Sequence, residues 1–259
     1  MQAPQFLHVE AYAFKSLGKK RSIAKIAGEA LRVPSHCKHV PNPQPPQFLL
    51  GDGLDGVKRS LRAKMELSAL KGHRRKKTDL ALLAGVASYP TPTEEVAKNP
   101  TEWLEFERWK GLLMGWLGDA YGEGLSVVLA HEDEAYPHAH FYVEPALAED
   151  GAFSIESVHP GFAAKRAGER AGKTGSECMA AYKAAMVRLQ DSYFEAVGKP
   201  MGWARKGPAP RRRMSNSEHR KARRIEELER ELFELKGPQA SSRDGGRARS
   251  ANIKAPRPS

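Results

Sequence analysis

The sequence predicts an α+β protein built on an antiparallel sheet flanked by helices. Segments in which every second residue is apolar, as in strands, alternate with segments whose apolar residues recur every three or four positions, as in helices. Two predicted strands, residues 125–131 and 138–145, are separated only by "EDEAYP". That linker is too short for the crossover that joins parallel strands, so the two strands are expected to pair antiparallel.

The N-terminal half is predicted to contain one strand and two helices. The stretch "QFLHVEAYAFK" alternates, which places His8, Glu10 and Tyr12 on the face opposite its aliphatic residues. A short helix over residues 22–32 follows, with Ser22 at its N-terminus. The next segment, "VPSHCKHVPNPQPPQ", carries five prolines and is expected to be irregular. A second helix is predicted over residues 54–70.

The C-terminal half of the predicted domain combines three strands with two long helices. Asn99 and Pro100 supply a cap and a first helical residue for a helix that extends to about Tyr121. The tryptophans of that helix are interpreted as core residues and not as a platform for stacking bases. The other predicted elements are strands over 78–90, 125–131 and 138–145, a short strand edge and a small helix within 154–172, and a strongly amphipathic helix over 176–198.

The charge of the chain favours a polyanionic partner. Its 259 residues carry a formal net charge of +11, and nucleic acid is the polyanion expected for a cytosolic protein. A basic protein with no such partner is the alternative. The surplus is concentrated in residues 205–224, which hold nine Lys or Arg residues against one acid, Glu218, and in "KGHRRKK" before a predicted strand. The residues predicted to contact DNA are Arg74, Arg75, Lys76, Arg205, Lys206, Arg211, Arg212 and Arg213.

Three regions are predicted along the chain. Residues 1–203 form the globular domain, residues 204–237 a basic arm with a short amphipathic helix, and residues 238–259 a disordered tail rich in Ser, Arg, Gly and Pro. The apolar seam of the short helix can start a coiled coil or dock on the domain, so the oligomeric state is left open. We expect a cytoplasmic protein without membrane insertion, because no long apolar run, secretion signal or cysteine framework is visible.

The stretch "HEDEAYPHAH", residues 131–140, is the candidate chemical centre. His138 and His140 are two residues apart on a strand and therefore point to the same face. His131 ends the preceding strand and is expected to lie beside His138 across the hairpin. Three nitrogen ligands on a rigid scaffold leave coordination positions open, which is typical of a catalytic metal. Zinc, manganese, nickel and iron are all compatible with this spacing, and a cupin-like enzyme acting on a small molecule stays open at this point.

The same residues resemble a known family. His131-x-Asp133-Glu134-x-x-Pro137-His138-x-His140 is similar to the HxDExxPHxH motif of plasmid mobilisation and recombination relaxases, the Pre/Mob (MOBV-type) members of the HUH endonucleases. The resemblance covers about residues 5–200 and is dense only at 125–145. It implies an HUH relaxase-like fold and site- and strand-specific nicking at a plasmid transfer origin, which starts conjugative mobilisation.

The resemblance also implies a mechanism and partners. A protein side chain attacks the scissile phosphate, which leaves a 5′-phosphoryl protein and a free 3′ hydroxyl. One divalent metal ion, Mn or Mg first and Zn or another second, is expected on His131, His138 and His140. Glu134 is expected to orient or deprotonate the nucleophile, and Asp133 to hold a ligand imidazole. The implied partners are origin DNA, single-stranded or hairpin at the nick, and other proteins of the transfer apparatus.

The nucleophile is the point at which the sequence departs from the family pattern. Relatives often carry a histidine in an HNxR motif after the first strand, whereas the corresponding stretch here is "KIAGEALR". Arg32 stands for the arginine of that motif. Tyr12 is the leading substitute for the missing nucleophile, and His36 and His39 are its rivals. An origin-binding module with a degenerate nicking site and an HUH replication initiator are the alternative functions.

Overall fold

The computed structural model describes residues 2–16, 22–73, 76–207, 221, 224, 225 and 227–232. Within these residues, strands and helices alternate irregularly along the chain. The strands are β1 (Phe6–Ala13), β2 (Gln47–Leu50), β3 (Leu80–Ser88), β4 (Leu125–His131) and β5 (His138–Val143). The helices are α1 (Ile23–Ala30), α2 (Leu54–Leu70), α3 (Thr93–Lys98), α4 (Pro100–Tyr121), α5 (Pro160–Arg170) and α6 (Gly175–Tyr193), the last continued by a π-helical turn, Phe194–Gly198.

The five strands form one sheet in the order β1-β3-β5-β4-β2, and every neighbouring pair is antiparallel. The short linker between β4 and β5 makes them neighbours, as expected, with His131 opposite His138. On its other side β5 pairs with β3, where His140 lies opposite Val86. The predicted fold class, an antiparallel sheet flanked by helices, is therefore confirmed.

Helices cover both faces of the sheet. On one face, α4 and α6 contribute Trp109, Leu113 and Tyr193 to a core that includes Phe141 and Val128 of the sheet. On the opposite face, α1 and α2 cover the strand residues that lie on the same side as the histidines. That second core contains the buried side chains of Ile23, Ile26, Leu54, Leu61, Leu82, Leu129 and Tyr142.

The helix starts follow from local chemistry that the sequence displays. Ser22 accepts a hydrogen bond from the Lys25 amide at the start of α1. Asn99 accepts hydrogen bonds from the amides of Thr101 and Glu102, and Pro100 occupies the first turn of α4. Both predicted helix starts are therefore confirmed.

Two short elements were not predicted. β2 follows directly after the five prolines and pairs with β4 as an edge strand, although its sequence "QFLL" shows no alternation. The helix α3 is only six residues long and holds a single buried side chain, Val96. Elements this short carry too few residues for a period to be visible.

The chain divides into two compact units, residues 1–209 and 210–259. In the second unit, residues 227–232 are helical, and Leu228 and Leu232 are exposed. The predicted boundary at 203 stays a prediction, and the boundary at 237, the end of the leucine seam and the tail lie outside the described residues. Among the described residues, no helix combines the length and the apolar character that crossing a bilayer requires.

Candidate metal centre

Three histidines meet at one end of the β4–β5 hairpin. His131 is the last residue of β4, His138 is the first residue of β5, and His140 follows two residues later on the same face. Each pair of rings has a centroid separation of 5.1 Å, and one nitrogen from each ring lies within 4.8 Å of the other two. The structure thus brings the three predicted ligands together, and they could hold a metal ion.

Hydrogen bonds to backbone carbonyls determine which nitrogens are left for a metal. His131 Nε2 lies 2.8 Å from the Ala30 carbonyl oxygen, and His138 Nδ1 lies 3.1 Å from that of Tyr136. Because a carbonyl only accepts, these nitrogens carry the proton of each neutral ring. The two remaining nitrogens, His131 Nδ1 and His138 Nε2, then face each other at 3.3 Å with a lone pair on each. A cation bound by both nitrogens removes this repulsion, so the residues fit a metal.

Burial keeps one ligand in the form that binds metals. Burial is the largest cause that lowers the pKa of His131 to about 4, and the charge of the nearby Arg32 lowers it further. His131 is therefore neutral near pH 7, as a metal-ligating imidazole must be. Three neutral nitrogen donors form an open site, in contrast to the four closed ligands of a structural zinc site.

A buried arginine connects the end of α1 to the loop after β4. Arg32 Nε donates to Asp133 Oδ2 at 2.9 Å, and Arg32 Nη2 donates to Asp133 Oδ1 at 2.5 Å and to Glu134 Oε1 at 2.9 Å. The backbone N–H of Gln44 donates to the same Asp133 carboxylate. Burial raises the pKa of Asp133, but the hydrogen bonds from Arg32 and from the Gln44 amide outweigh burial and hold it below its usual range.

This network corrects the role predicted for Asp133. Its carboxylate was expected to orient a ligand imidazole, but its hydrogen bonds go to Arg32 and Gln44. Backbone carbonyls of Ala30 and Tyr136 hold the imidazoles in its place. The physical reason is the buried guanidinium, which requires a carboxylate partner more strongly than a neutral ring does.

Glu134 lies between the triad and the proline-rich loop. Its Oε1 atom is 3.8 Å from His138 Nε2 and also 3.8 Å from His39 Nε2. His39 is 3.9 Å from Glu29 as well, and about half of its side chain (51%) is exposed. The other rival nucleophile, His36, is exposed, and its Nδ1 lies 2.9 Å from Ser35 Oγ. The fold therefore brings His39 to the acid beside the triad.

The predicted placement of Tyr12 beside the metal is wrong. Tyr12 does share a face with His8 and Glu10, but β3 lies between β1 and the histidine strands. His8 is in register with His140 across Val86, whereas Tyr12 lies four residues further along β1, roughly 13 Å away along the sheet. The Tyr12 hydroxyl donates to Glu10 Oε2 at 3.1 Å, and its ring packs against the core under α1 and α2.

Three of the eight basic residues predicted to contact DNA are among the described residues. Lys76 is exposed and precedes β3 at the end remote from Ser88, the residue that pairs with His138. Arg205 is paired with Asp191 at 2.7 Å, and Lys206 is exposed. Arg74, Arg75, Arg211, Arg212 and Arg213 lie outside the described residues. Contact with DNA stays a prediction for all eight.

One tryptophan was misassigned. Trp109 and Trp116 are buried in the core, as predicted, but 41% of Trp103 is exposed. Trp103 lies in the first turn of α4, where its ring lines two open cavities in place of packing into the core. Periodicity places Trp103 on the apolar face but does not show where that face ends.

The sequence matches no protein-family model and no curated protein. The fold is similar to the solved structure of the MobM relaxase domain (MOBV, Mob_Pre) bound to plasmid pMV158 oriT DNA with a 3′ thiophosphate, in a Mn-bound form. That match has a TM-score of 0.52 and 11% sequence identity, and covers 85% of this chain and 99% of the other. Two further MobM complexes, with 26-nucleotide and 23-nucleotide oriT DNA, match with a TM-score of 0.49, 11% identity and 84% of this chain covered. The relaxase-like fold predicted from the sequence is confirmed by the match with a TM-score of 0.52.

Proposed function

We propose that this protein is a DNA relaxase that nicks one strand at a plasmid transfer origin and so starts conjugative mobilisation. The observation that carries the proposal is the pair of ring nitrogens, His131 Nδ1 and His138 Nε2, that face each other at 3.3 Å with His140 beside them. The relaxase-like fold supports it, because the MobM domain of the same fold is Mn-bound and carries oriT DNA.

The histidine triad would hold one divalent ion, with Mn²⁺ and Mg²⁺ as the first candidates. When bound, such an ion supplies positive charge that polarises a phosphoryl oxygen and offsets the charge that develops during phosphoryl transfer. The residues of this chain supply the remaining functions, namely the nucleophile, the group that orients it and the scaffold that holds both.

His39 is the nucleophile that the geometry supports. Its Nε2 atom approaches the Glu134 oxygen that also lies 3.8 Å from His138, and half of the ring is accessible to a substrate. In the proposed step the Nε2 lone pair forms a bond to phosphorus while the bond from phosphorus to the 3′ oxygen breaks. The 3′ oxygen keeps that electron pair and takes a proton from water. The phosphorylated ring returns its Nδ1 proton to water, so protons balance.

Glu134 and Arg32 act on this nucleophile in different ways. The Glu134 carboxylate, 3.8 Å from His39 Nε2, offsets the positive charge that develops on the attacking ring. Arg32 fixes Glu134 by a 2.9 Å hydrogen bond and is itself held by Asp133. Arg32 and Asp133 are therefore positioning residues.

A nicking assay tests the proposal. The protein is incubated with Mn²⁺ and a supercoiled plasmid. The plasmid carries the gene of this protein and the DNA that flanks it, which is the region expected to contain the origin. We expect relaxed circles with protein on one 5′ end, and loss of nicking in His138→Ala. Relaxation that persists in His138→Ala would remove the metal site, and binding without nicking by the wild type would support an origin-binding module instead.

The nucleophile is tested with one variant of His39 and two control variants. His39→Gln is expected to abolish the covalent DNA adduct, whereas His36→Gln, in the same loop but bonded to Ser35, and Tyr12→Phe are expected to retain it. Mass spectrometry of the DNA-linked peptide gives an independent readout. An adduct on a peptide that lacks His39 would overturn this assignment and leave the metal site untouched.

A further inference from the structure

A cavity of about 340 Å³ adjoins the histidine triad at the edge of the sheet. Its volume is at the lower end of the range of roughly 300–1,000 Å³ that is typical of small-molecule sites. The residues lining it come from the start of β2, the end of β4 and the first turn of α4. They include His131, Glu132, Asp133, Gln44, Gln47 and Trp103. His131, at the end of β4, is the one triad residue in its wall.

Trp103 gives this cavity an aromatic surface. Its indole also lines a second cavity of about 280 Å³ at the junction of α3 and α4, so open space adjoins the ring at more than one point. The other three tryptophans of the chain are 8% exposed or less, against 41% for Trp103. An accessible indole beside a nucleic-acid site is suited to stacking an unpaired base, which needs only a π-face and no particular base edge.

The charges around the cavity disfavour a phosphate there. Lys110 packs over the Trp103 and Phe106 rings, but its ammonium is already bound by Gln47 at 2.9 Å and Glu107 at 2.7 Å. The Asp133 carboxylate forms an ion pair with Arg32. The Glu132 carboxylate lies 4.0 Å from Lys110, beyond hydrogen-bond distance, and about a third of its side chain is exposed. The charged group that the cavity offers is thus a carboxylate acceptor, beside the polar side chains of Gln44 and Gln47.

We propose that this Trp103 cavity binds one unstacked nucleobase with an exocyclic amino group, cytosine being the best fit, on the strand whose phosphate lies at the triad. The inference rests on the proposed function and adds to it a base-specific subsite. The base stacks on Trp103, and Glu132 accepts a hydrogen bond from the amino group, as acidic side chains do from cytosine N4.

Binding without metal tests the subsite independently of nicking. Fluorescence anisotropy in EDTA measures the affinity of the full chain for short oligomers of deoxycytidine and of deoxythymidine. Trp103→Ala is expected to weaken binding about 5- to 150-fold, the loss typical of one stacked base. Trp103→Phe is expected to retain most of the affinity. Leu104→Ala is the matched control, since Leu104 is the next residue of α4, 67% exposed and not part of the cavity wall.

Glu132→Gln tests the choice of base. It is expected to reduce the preference for deoxycytidine over deoxythymidine while leaving deoxythymidine binding within about twofold of wild type. Equal affinities of wild type and Trp103→Ala, or no binding by the wild type, would overturn the subsite. If the proposed function is wrong but the subsite exists, the protein binds oligomers with an affinity that depends on Trp103 and does not nick DNA in Mn²⁺.

Discussion

Arg32 organises the candidate site at the scale of single residues. Its backbone has a left-handed φ of 56°, which costs an L-residue with a side chain roughly 1–2 kcal/mol. The side chain is nevertheless buried, and it binds two carboxylates of the loop between β4 and β5. Removing one partner from such a buried group leaves the other charge unpaired, which is why the cost of truncation is large.

Replacing Arg32 by methionine keeps the length of the side chain and removes its charge. We expect Arg32→Met to lower the free energy of unfolding by about 3–5 kcal/mol, because Asp133, whose side chain is 2% exposed, then loses its cation. Urea denaturation followed by circular dichroism measures the change. The double variant Arg32→Met with Asp133→Asn should recover part of the loss, since an amide needs no counter-ion. No recovery would mean that packing, and not charge, makes Arg32 important.

The sequence predicts some of these residues and not others for a physical reason. The three histidines lie within ten positions, so strand alternation and one turn are enough to bring them together. The contacts of Arg32 with Asp133 and of His39 with Glu134 join residues about a hundred positions apart. No local period encodes such contacts, and that is why strand alternation favours Tyr12 over His39 as the nucleophile.

The same limit applies at the scale of elements. The predicted starts of α1 and α4 agree with the structure because apolar spacing and caps are properties of neighbouring residues. The pairing of β2 with β4, and the insertion of β3 between β1 and β5, depend on the whole sheet. The strand order therefore determines the distance of Tyr12 from the triad, and the sequence around Tyr12 does not predict that order.

The interior strand β3, between β1 and β5, depends on a close approach at Gly85. Gly85 lies opposite Phe141 of β5, and a Cβ at this position would be 2.1 Å from the Phe141 ring. The ring fills the space that a side chain on β3 would otherwise occupy. Because Phe141 is fully buried between the sheet and α4, it cannot move aside without disturbing the core.

Gly85→Ala is accordingly expected to destabilise the sheet by at least the roughly 1–3 kcal/mol of an overpacked core. Thermal and urea unfolding of the variant measure the loss. The double variant Gly85→Ala with Phe141→Leu should be more stable than the sum of the two single changes predicts, because the smaller side chain makes room for the new methyl group. Strictly additive losses would show that the two residues do not compete for the same space.

At the scale of the whole molecule, most of the net positive charge lies outside the domain that carries the triad. Residues 210–259 contain 14 Lys and Arg residues against seven Asp and Glu residues, which leaves a formal charge of about +4 for residues 1–209 out of the total of +11. Several cations of the domain are neutralised locally, as in α5, where Lys165, Arg166 and Arg170 pair with Glu156 and Glu169. A phosphate backbone is therefore expected to draw on the C-terminal cations.

Two triple variants with the same change in net charge separate these contributions. Replacing Arg211, Arg212 and Arg213 by alanine is expected to make the slope of log affinity against log salt shallower by about 2 for single-stranded DNA, since each phosphate contact contributes roughly 0.7. Replacing Lys165, Arg166 and Arg170 by alanine should change the slope much less, because those cations are already paired. Anisotropy titrations between low and moderate salt measure both slopes. Equal slopes in the two variants would mean that net charge, and not the position of the C-terminal arginines, governs attraction to DNA.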